Sequence, residues 1–490
     1  MKKLAPLSPA TQFAQSEDGS ATPLAIGFSI IFIVLGGLAV DFNKAMGERT
    51  QLQMAADSAA HAALYTWEFE DIPTSTATAQ ATITGMLPVV AFRDALQDSD
   101  IEYGFWDPDT GSFTIDPNFV EDKDDPRRSA VRAFAELEPE RDNESRNILL
   151  SIVGQDTFTI RTSSIYASYY PPCFTEGFVA EDIVDLQSGS IYLDGFCIHS
   201  NTYVSLNQNN YFEPGTVVSM PNLADLEIPQ SGFDQNDGLQ EALRTGEYRM
   251  RILKQMDEIM MPSLWNGSGV YASVAGVPPT TQDVLWPLDL TLPNGNQTGH
   301  PVIEAVVAGN DLSVFTEEEI LDAPRIGPTD LGKKNISPEQ FLPRNRIYQL
   351  ECTGNGDITF SGDTFEDFAL VTDCPVNFSN GTLLDGVLLA TSEDVSSSHV
   401  QLGLDDNCAP DGGAAVWTRG SFSTASDLKG YGAQILALGD ISFTAGADGI
   451  EGVSFVAAGR IDGTSNGKMG YCDTQGTGNF ATAPYFRMVN

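Results

Sequence analysis

The sequence predicts an N-terminal transmembrane helix continuing into a small α+β module, followed by an all-β parallel β-helix, a solenoid, with a helical insertion. Three observations predict it. A charge-free apolar run fills residues 21–40, alanines recur at helical spacing after it, and strand-like segments return roughly every twenty residues toward the C-terminus. The expected divisions are a cytoplasmic N-terminus (1–20), the membrane helix (21–40), the module (41–172), a first solenoid-like segment (173–232), a helical or irregular insertion (233–345), and the repeats with a tail (346–490).

Composition narrows the function classes. At 490 residues the chain is long enough for two or three domains with their own cores. A hydrophobic content of 42% argues against global disorder. Its 67 Asp and Glu against 26 Lys and Arg give a net charge of −41, which repels nucleic acid, so nucleic acid is not an expected partner. Solubility and divalent-cation binding are the two readings of such acidity.

The stretch "ATPLAIGFSIIFIVLGGLAV" carries no charge and matches the roughly 20 residues a helix needs to cross about 30 Å of hydrocarbon. Ser20 or Thr22 can cap it, and Pro23 suits a first turn, where its missing N–H costs nothing. A cleaved secretory signal is the rival reading. Against it stand Glu17 and Asp18 just before the run, the run's length, and the lack of an A-x-A site after it. Lys2 and Lys3 on one side balance Lys44 and Arg49 on the other, so charge leaves orientation open. Cysteines break the tie. Cys173, Cys197, Cys352, Cys374, Cys408 and Cys472 are even in number, form no CxxC pair and suit disulfides, which places the C-terminal body outside the cytoplasm. Many pairings are open; Cys173 with Cys197 and Cys352 with Cys374, neighbours in sequence, are the expectation.

Beyond Val40 the helical pattern continues through Phe42, Ala45, Met46, Leu52, Ala55, Ala56, Ala59, Ala60, Ala63 and Leu64, to about Trp67. That gives a rod of roughly 70 Å at ~1.5 Å per residue. Its small-residue stripe suits close packing against its own domain, a partner helix, or both.

From Ser16 to Leu64, "SEDGSA", the apolar span, "LAVDF", Arg49, Leu52 with Gln53, and "AADSAAHAA" occur in an order that resembles the N-terminal signature of TadE/TadG-like proteins of the Flp (tight adherence) pilus system. The resemblance implies an assembly helix marked by Asp41, Arg49, Leu52, Gln53, Ala55, Ala56 and Asp57. Met54, Ser58 and His61 depart from the usual small or amide residues. Leu24 stands where a prepilin peptidase substrate carries Glu, so the resemblance is to a TadG-like anchored envelope protein rather than to a pilin. Asp41 reads as a carboxylate marking the water boundary, with a partner contact as the alternative; Asp57 reads as part of a solvated face.

"IEYGFWDPDTGSFTID" is a hairpin by its D-P-D-T-G turn. "SAVRAFAELE", a short helix near "RNILLSIVG", and "FTIRTSSIYASYY" follow, so the module reads as one long helix on an antiparallel sheet. The Asp-rich residues 107–125 are a turn rather than an EF-hand, because Ser112 holds the position that needs Gly.

Segments starting at Leu350, Leu370, Leu389, Val416, Leu436 and Val456 are spaced by 20, 19, 27, 20 and 20 residues. Short strands at that period, with Gly, Asn and Asp at the corners, fit stacked rungs; an evenly spaced β-sandwich is the alternative. The stretch "GSIYLDGFCIHSNTYVSLNQNNYFEPGTVVSM" has the same texture, so the stack is expected to begin near Phe178. Gly238 to Met261 reads as one amphipathic helix, with Leu239, Leu243, Ile252, Leu253, Met256 and Met260 on one side, covering an open end of the stack or docking a partner.

No catalytic, cofactor or metal set emerges. "GTSNG" at Gly463 to Gly467 lacks the later histidine a nucleophile elbow needs. "DVSSS" at Asp394 to Ser398 falls inside the repeat rather than after a buried α/β strand. His61, His199, His300 and His399 are scattered, and Arg419, Lys429, Arg460 and Lys468 are few basic groups for a lyase groove. The expectation is therefore a non-enzymatic, single-pass inner-membrane protein, N-terminus cytoplasmic and bulk in the periplasm or envelope. It would assist assembly or anchoring of a Flp-type pilus, with the inner membrane and other pilus-assembly proteins as partners and no cofactor or small-molecule substrate. The alternative is a membrane-tethered β-helix that binds or degrades polysaccharide.

Overall fold

The computed structural model describes residues 21–88, 91–121, 125–260, short stretches between 284 and 350, and 357–407, 409, 413–464, 467–472 and 483–489. The chain divides into two compact units: Met1–Tyr169 with Pro484–Asn490, and Tyr170–Ala483.

In the first unit, helix α1 (Ala21–Trp67) runs without a break for 47 residues, ending where the alanine pattern stops. Its apolar first half is exposed along Leu24, Phe28, Phe32, Leu35 and Leu38, and it is apolar enough to cross a membrane. A second helix, α2 (Ile72–Met86), was not expected from its threonine-rich sequence, since β-branched residues are mediocre helix formers. Asp71 caps it, accepting the Thr74 N–H at 2.9 Å, and Ser75, Ala79 and Ile83 supply the buried stripe that holds it against α1.

Six strands follow: β1 (Ile101–Asp107), β2 (Ser112–Ile115), β3 (Arg128–Leu137), β4 (Ser145–Arg146), β5 (Thr157–Phe158) and β6 (Ile160–Tyr169). The main sheet is antiparallel, in the order β2, β1, β3, β6 and then the C-terminal strand Tyr485–Met488. That last strand, placed with the repeats at the sequence level, pairs instead with β6 and puts Phe486 against the core of this unit. On the helix-facing side Leu52, Ala55, Ala56, Ala59, Ala60, Ala63 and Leu64 bury themselves against Val131, Ala133, Ala135, Ile101 and Ile160. Alanine meets alanine, which lets the helix axis come close to the sheet. The expected short helix near "RNILLSIVG" is a single 3-10 turn, Leu150–Val153, in the loop between β4 and β5.

The second unit is a stack of curled, parallel sheets. Among the described residues one has eleven strands, including Gly177–Ala180, Cys197–Ser200, Val217–Met220, Leu388–Thr391, Ala433–Ala437 and Ser454–Ala457. Its companion ladders are parallel as well, for example Val184–Leu186 beside Val204–Leu206 and Ile191–Tyr192 beside Asn210–Phe212. The alternative of an evenly spaced β-sandwich, whose sheets are antiparallel, is overturned by this parallel pairing. Chain order and spatial order differ: Gly177–Ala180 pairs with Cys197–Ser200 on one side and with Ser454–Ala457 on the other. The chain thus enters the stack partway along, builds to one end at Leu243–Thr245, resumes at the other with Val284–Leu285 and Arg346–Leu350, and winds back to its starting point.

The strands of the repeats pair in a register that departs by one or two residues from their spacing in sequence at two points. Leu370 pairs with Leu389 and Leu389 with Val416, as aligned. Val416 pairs with Ile435, not Leu436, and the partner of Leu370 on the earlier side is Tyr348, not Leu350. A slip of one residue reverses the face a side chain points to. Val416 and Ile435 lie in the core cluster with Phe178, Phe378 and Phe455, whereas Leu436 and Val456 lie in the cluster on the opposite face of the same sheet, with Trp417.

The expected single helix from Gly238 to Met261 is broken. Leu239–Ala242 is one turn, Leu243–Thr245 is a strand pairing with Val217–Met220, and only Arg251–Met260 is a true helix. Leu239 belongs to the core cluster, while Ile252, Leu253 and Met256 join the cluster on the other face of the eleven-stranded sheet. The helix therefore contributes to covering a sheet face rather than an end.

Candidate functional site

The described residues hold no group of three or more His, Cys, Asp or Glu side chains placed to hold a metal ion. Functional interest concentrates on α1 where it leaves its apolar half. Asp41, read from sequence as a boundary marker, is buried, with 1% of its surface exposed. Its Oδ1 accepts the Ile148 N–H at 2.9 Å, and its Oδ2 accepts those of Leu149 and Leu150 at 2.9 and 2.8 Å. Burial works to raise this carboxyl, but the three backbone donors, with the Lys44 charge, outweigh it and hold it below the usual aspartate range. The solvated-marker reading of Asp41 is corrected: the carboxylate ties helix to loop within its own unit. A turn later, Lys44 Nζ reaches Ser145 Oγ at 3.1 Å and the Arg146 carbonyl at 3.0 Å while pairing with Glu48 at 2.9 Å, and Ser145 donates to Glu48.

The other motif residues divide by face. Leu52, Ala55 and Ala56 are fully buried under the sheet, so these alanines offer no surface to a companion helix. Gln53 Nε2 donates to Asp57 Oδ1 at 2.8 Å and to the Ser163 carbonyl at 3.0 Å, which makes Gln53 and Asp57 a half-buried pair against β6. Arg49 is exposed, as are Phe42, Met46 and Met54. Sequence reasoning missed the partners of Asp41. The signal was present: residues 147–155, "NILLSIVGQ", form an uncharged run in a strongly acidic chain.

Elsewhere in this unit Arg141 binds Asp100 at 2.5 and 2.9 Å, Glu136 at 2.8 Å and Glu138 at 2.9 Å, and Arg161 reaches Glu138 at 2.6 Å. The hydrogen bonds to Asp100 hold the Arg141 guanidinium firmly protonated. This node ties the Asp100 and Glu138 turns to β3 and β6.

Cys173 and Cys197 form the expected disulfide. Cys374 and Cys472 are each disulfide-bonded as well; Cys352 and Cys408 lie outside the described residues, as does the expected pairing of Cys352 with Cys374. Two further ties join the start of the second unit to its end: Ser454 Oγ donates to the Phe174 carbonyl at 2.8 Å, and the Cys472 N–H donates to the buried Glu176 carboxylate at 2.6 Å.

The enzyme-like motifs resolve into structure. Asp394 Oδ1 accepts the Ser421 N–H at 2.7 Å, and the strand after it, Val395–Ser397, pairs in parallel with the strand that follows Ser421. Gly463 and Thr464 end a strand, and another strand, Lys468–Gly470, follows instead of a helix. His199 is buried, hydrogen-bonded to Ser219 Oγ at 2.7 Å and Asn201 Oδ1 at 2.9 Å; burial holds its imidazole below the ordinary range. His61 stacks edge-on to Tyr166 and Phe486, and His399 faces Asp427 at 3.6 Å; His300 lies outside the described residues. A concavity of about 620 Å³ on the stack is lined by Asp185, Gln187, Ser205, Asn207 and Glu227, and Arg460 pairs with Asp185 at 3.3 Å and Asp462 at 2.7 Å.

A family described as a domain of unknown function, DUF7867, matches residues 177–283 and 310–473, more than half of the chain. The chain belongs to the DUF7867 family. That match covers most of the parallel stack. Residues 19–81 match a second family, described as putative Flp pilus-assembly TadE/G-like, which takes in α1 and most of α2. The N-terminal region is thus TadE/G-like, as the sequence resemblance implied. No curated protein and no solved structure matches the chain.

Proposed function

We propose that this protein is a single-pass envelope protein of a Flp-type pilus system that assists assembly or anchoring of the pilus, and hence adherence, without catalysing a reaction. The observation that carries the reading is the coincidence of the TadE/G-like match with a helix that runs unbroken from an exposed apolar half into the core of its own unit. Such a helix couples a membrane position rigidly to a folded body. The disulfides favour an oxidising compartment for that body, with residues 1–20 in the cytoplasm. The stacked parallel sheets are read as a β-helix, whose curled ladders and twenty-residue spacing between the strands at Gly177, Cys197 and Val217 support closure into rungs.

The test is genetic and chemical. Deleting the gene is expected to remove or reduce surface pili and attachment, with recovery on complementation. Photo-crosslinkers at the exposed positions Phe42, Met46 and Met54 are expected to capture pilus-assembly proteins in living cells. Normal piliation and attachment in the deletion strain would sink the reading. A second reading, a tethered polysaccharide-binding or polysaccharide-degrading stack, draws on the polar groove of Asp185, Gln187, Asn207 and Glu227. Retention of acidic or neutral glycans by the purified protein, lost in Glu227→Gln, would favour it.

A further inference from the structure

The loop between β4 and β5 exposes Ile148, Ile152 and Val153 at 61, 64 and 45% of their surface. Large aliphatic side chains are seldom left so open together in a chain of this acidity. The loop is not loose. Asp41 holds the Ile148, Leu149 and Leu150 N–H groups, the Asn147 N–H donates to the Asp156 carbonyl at 2.8 Å, and Gly154, at φ +87°, closes the 3-10 turn in the left-handed region that favours glycine.

Its height along α1 is fixed by a second contact. A Cβ built on Gly37 would lie 3.1 Å from Leu149 Cβ and 3.2 Å from Leu150 Cδ2, so the loop rests against the helix at Gly37, inside the charge-free run of residues 21–40. The neighbouring turns of that helix expose Leu35, Leu38 and Val40. The apolar surface of the loop is therefore continuous with the surface that would face lipid, at the same level. No charged residue occurs between Asn147 and Gln155, and Lys44 and the exposed Arg146 stand at the base of the loop, where cationic side chains meet headgroups.

We infer that residues 148–153 enter the bilayer interface beside α1 as a second, shallow membrane contact, with lipid covering Ile148, Ile152 and Val153. A single helix, even one rigid with its unit, is free to tilt and rotate in the bilayer together with that unit; a second contact fixed to the helix by Asp41 limits that tilt. The inference rests on the membrane-anchor reading of α1.

The test uses the full chain, unreduced, in nanodiscs of phosphatidylethanolamine and phosphatidylglycerol. An environment-sensitive dye is attached at one added cysteine: Ile152→Cys in the loop, Leu35→Cys in the span, or Val120→Cys, a site 82% exposed in the same unit. Nitroxide groups placed high on the lipid chains are expected to quench the dye at position 152 at least twofold more than at position 120, and Asp41→Ala is expected to reduce that quenching. Quenching at 35 with none at 152 beyond the level at 120 overturns the loop contact and leaves the anchor standing. Absence of quenching at 35 overturns both. Dye shielding at 152 that rises with protein concentration, without quenching by lipid nitroxides, assigns the loop to a second copy and also overturns the inference.

Discussion

The two units bury their strands in opposite ways. In β6 of the first unit, Ile160, Thr162 and Ser164 are buried while Arg161 and Ser163 are exposed, the alternation of a sheet with one covered face. In the second unit, Gly177–Ala180, Cys197–Ser200, Leu388–Thr391 and Ser454–Ala457 are buried at every position. The first unit gets its close fit from alanines and from ionic nodes, the second from stacked Phe, Ile and Val with covering on both faces. The contrast implies that the stack tolerates loss of a large side chain poorly, and the helix-sheet module tolerates gain of one poorly.

Substitutions that bear on this contrast separate by size. Trp417→Ala empties a fully buried site and removes the indole N–H that Gln434 Oε1 accepts at 3.0 Å. It is expected to cost about 3–5 kcal/mol in denaturant unfolding, with hydrogen exchange rising in the parallel stack and not in the β3–β6 pair. Arg141→Ala leaves Asp100, Glu136 and Glu138 facing one another and is expected to cost about 3 kcal/mol, its exchange signature confined to the first unit. Ala59→Leu drives a side chain into a filled contact and is expected to cost about 1–3 kcal/mol; if it is neutral, the helix does not lie against the sheet as closely as described.

A local effect follows from Asp41. Its carboxyl is held below its ordinary value, so its contribution is complete above the unfolded aspartate pKa of about 3.9 and is lost as pH falls through the lower folded value. Amide protection at Ile148, Leu149 and Leu150 is expected to survive to pH 4 and collapse below it, and to be lost at all pH values in Asp41→Ala. Arg49→Ala, at an exposed motif position, is expected to change stability by no more than about 0.5 kcal/mol, so a defect in piliation from it would mark a contact with another protein.

What the residues revealed in advance follows the same division. The continuation of α1 to about Trp67 was legible, because the alanine stripe carries on at helical spacing from the apolar run without a break. The β1–β2 hairpin was legible from its turn, where Asp107 Oδ1 accepts the Asp109 N–H at 2.9 Å. The stack was legible as a spacing but not as a register: strands apolar on both faces carry no alternation to distinguish Ile435 from Leu436. Helix α2 was hidden by its threonines, and the environment of Asp41 by distance, since its donors lie more than a hundred residues away. The break in the 238–261 segment was set by edge pairing of Leu243–Thr245 with the stack, which overrides helical propensity.

Tyr169, the last residue of β6, lies directly opposite Tyr485, the first residue of the C-terminal strand. Everything from Tyr170 to Ala483 is therefore a hairpin turn grown to the size of a domain. The start and finish of the inserted body are clasped together by the Ser454 and Cys472 hydrogen bonds. A tight Asn-Gly turn in its place is therefore expected to leave the helix-sheet unit folded, with the Tyr169 and Tyr485 pairing intact.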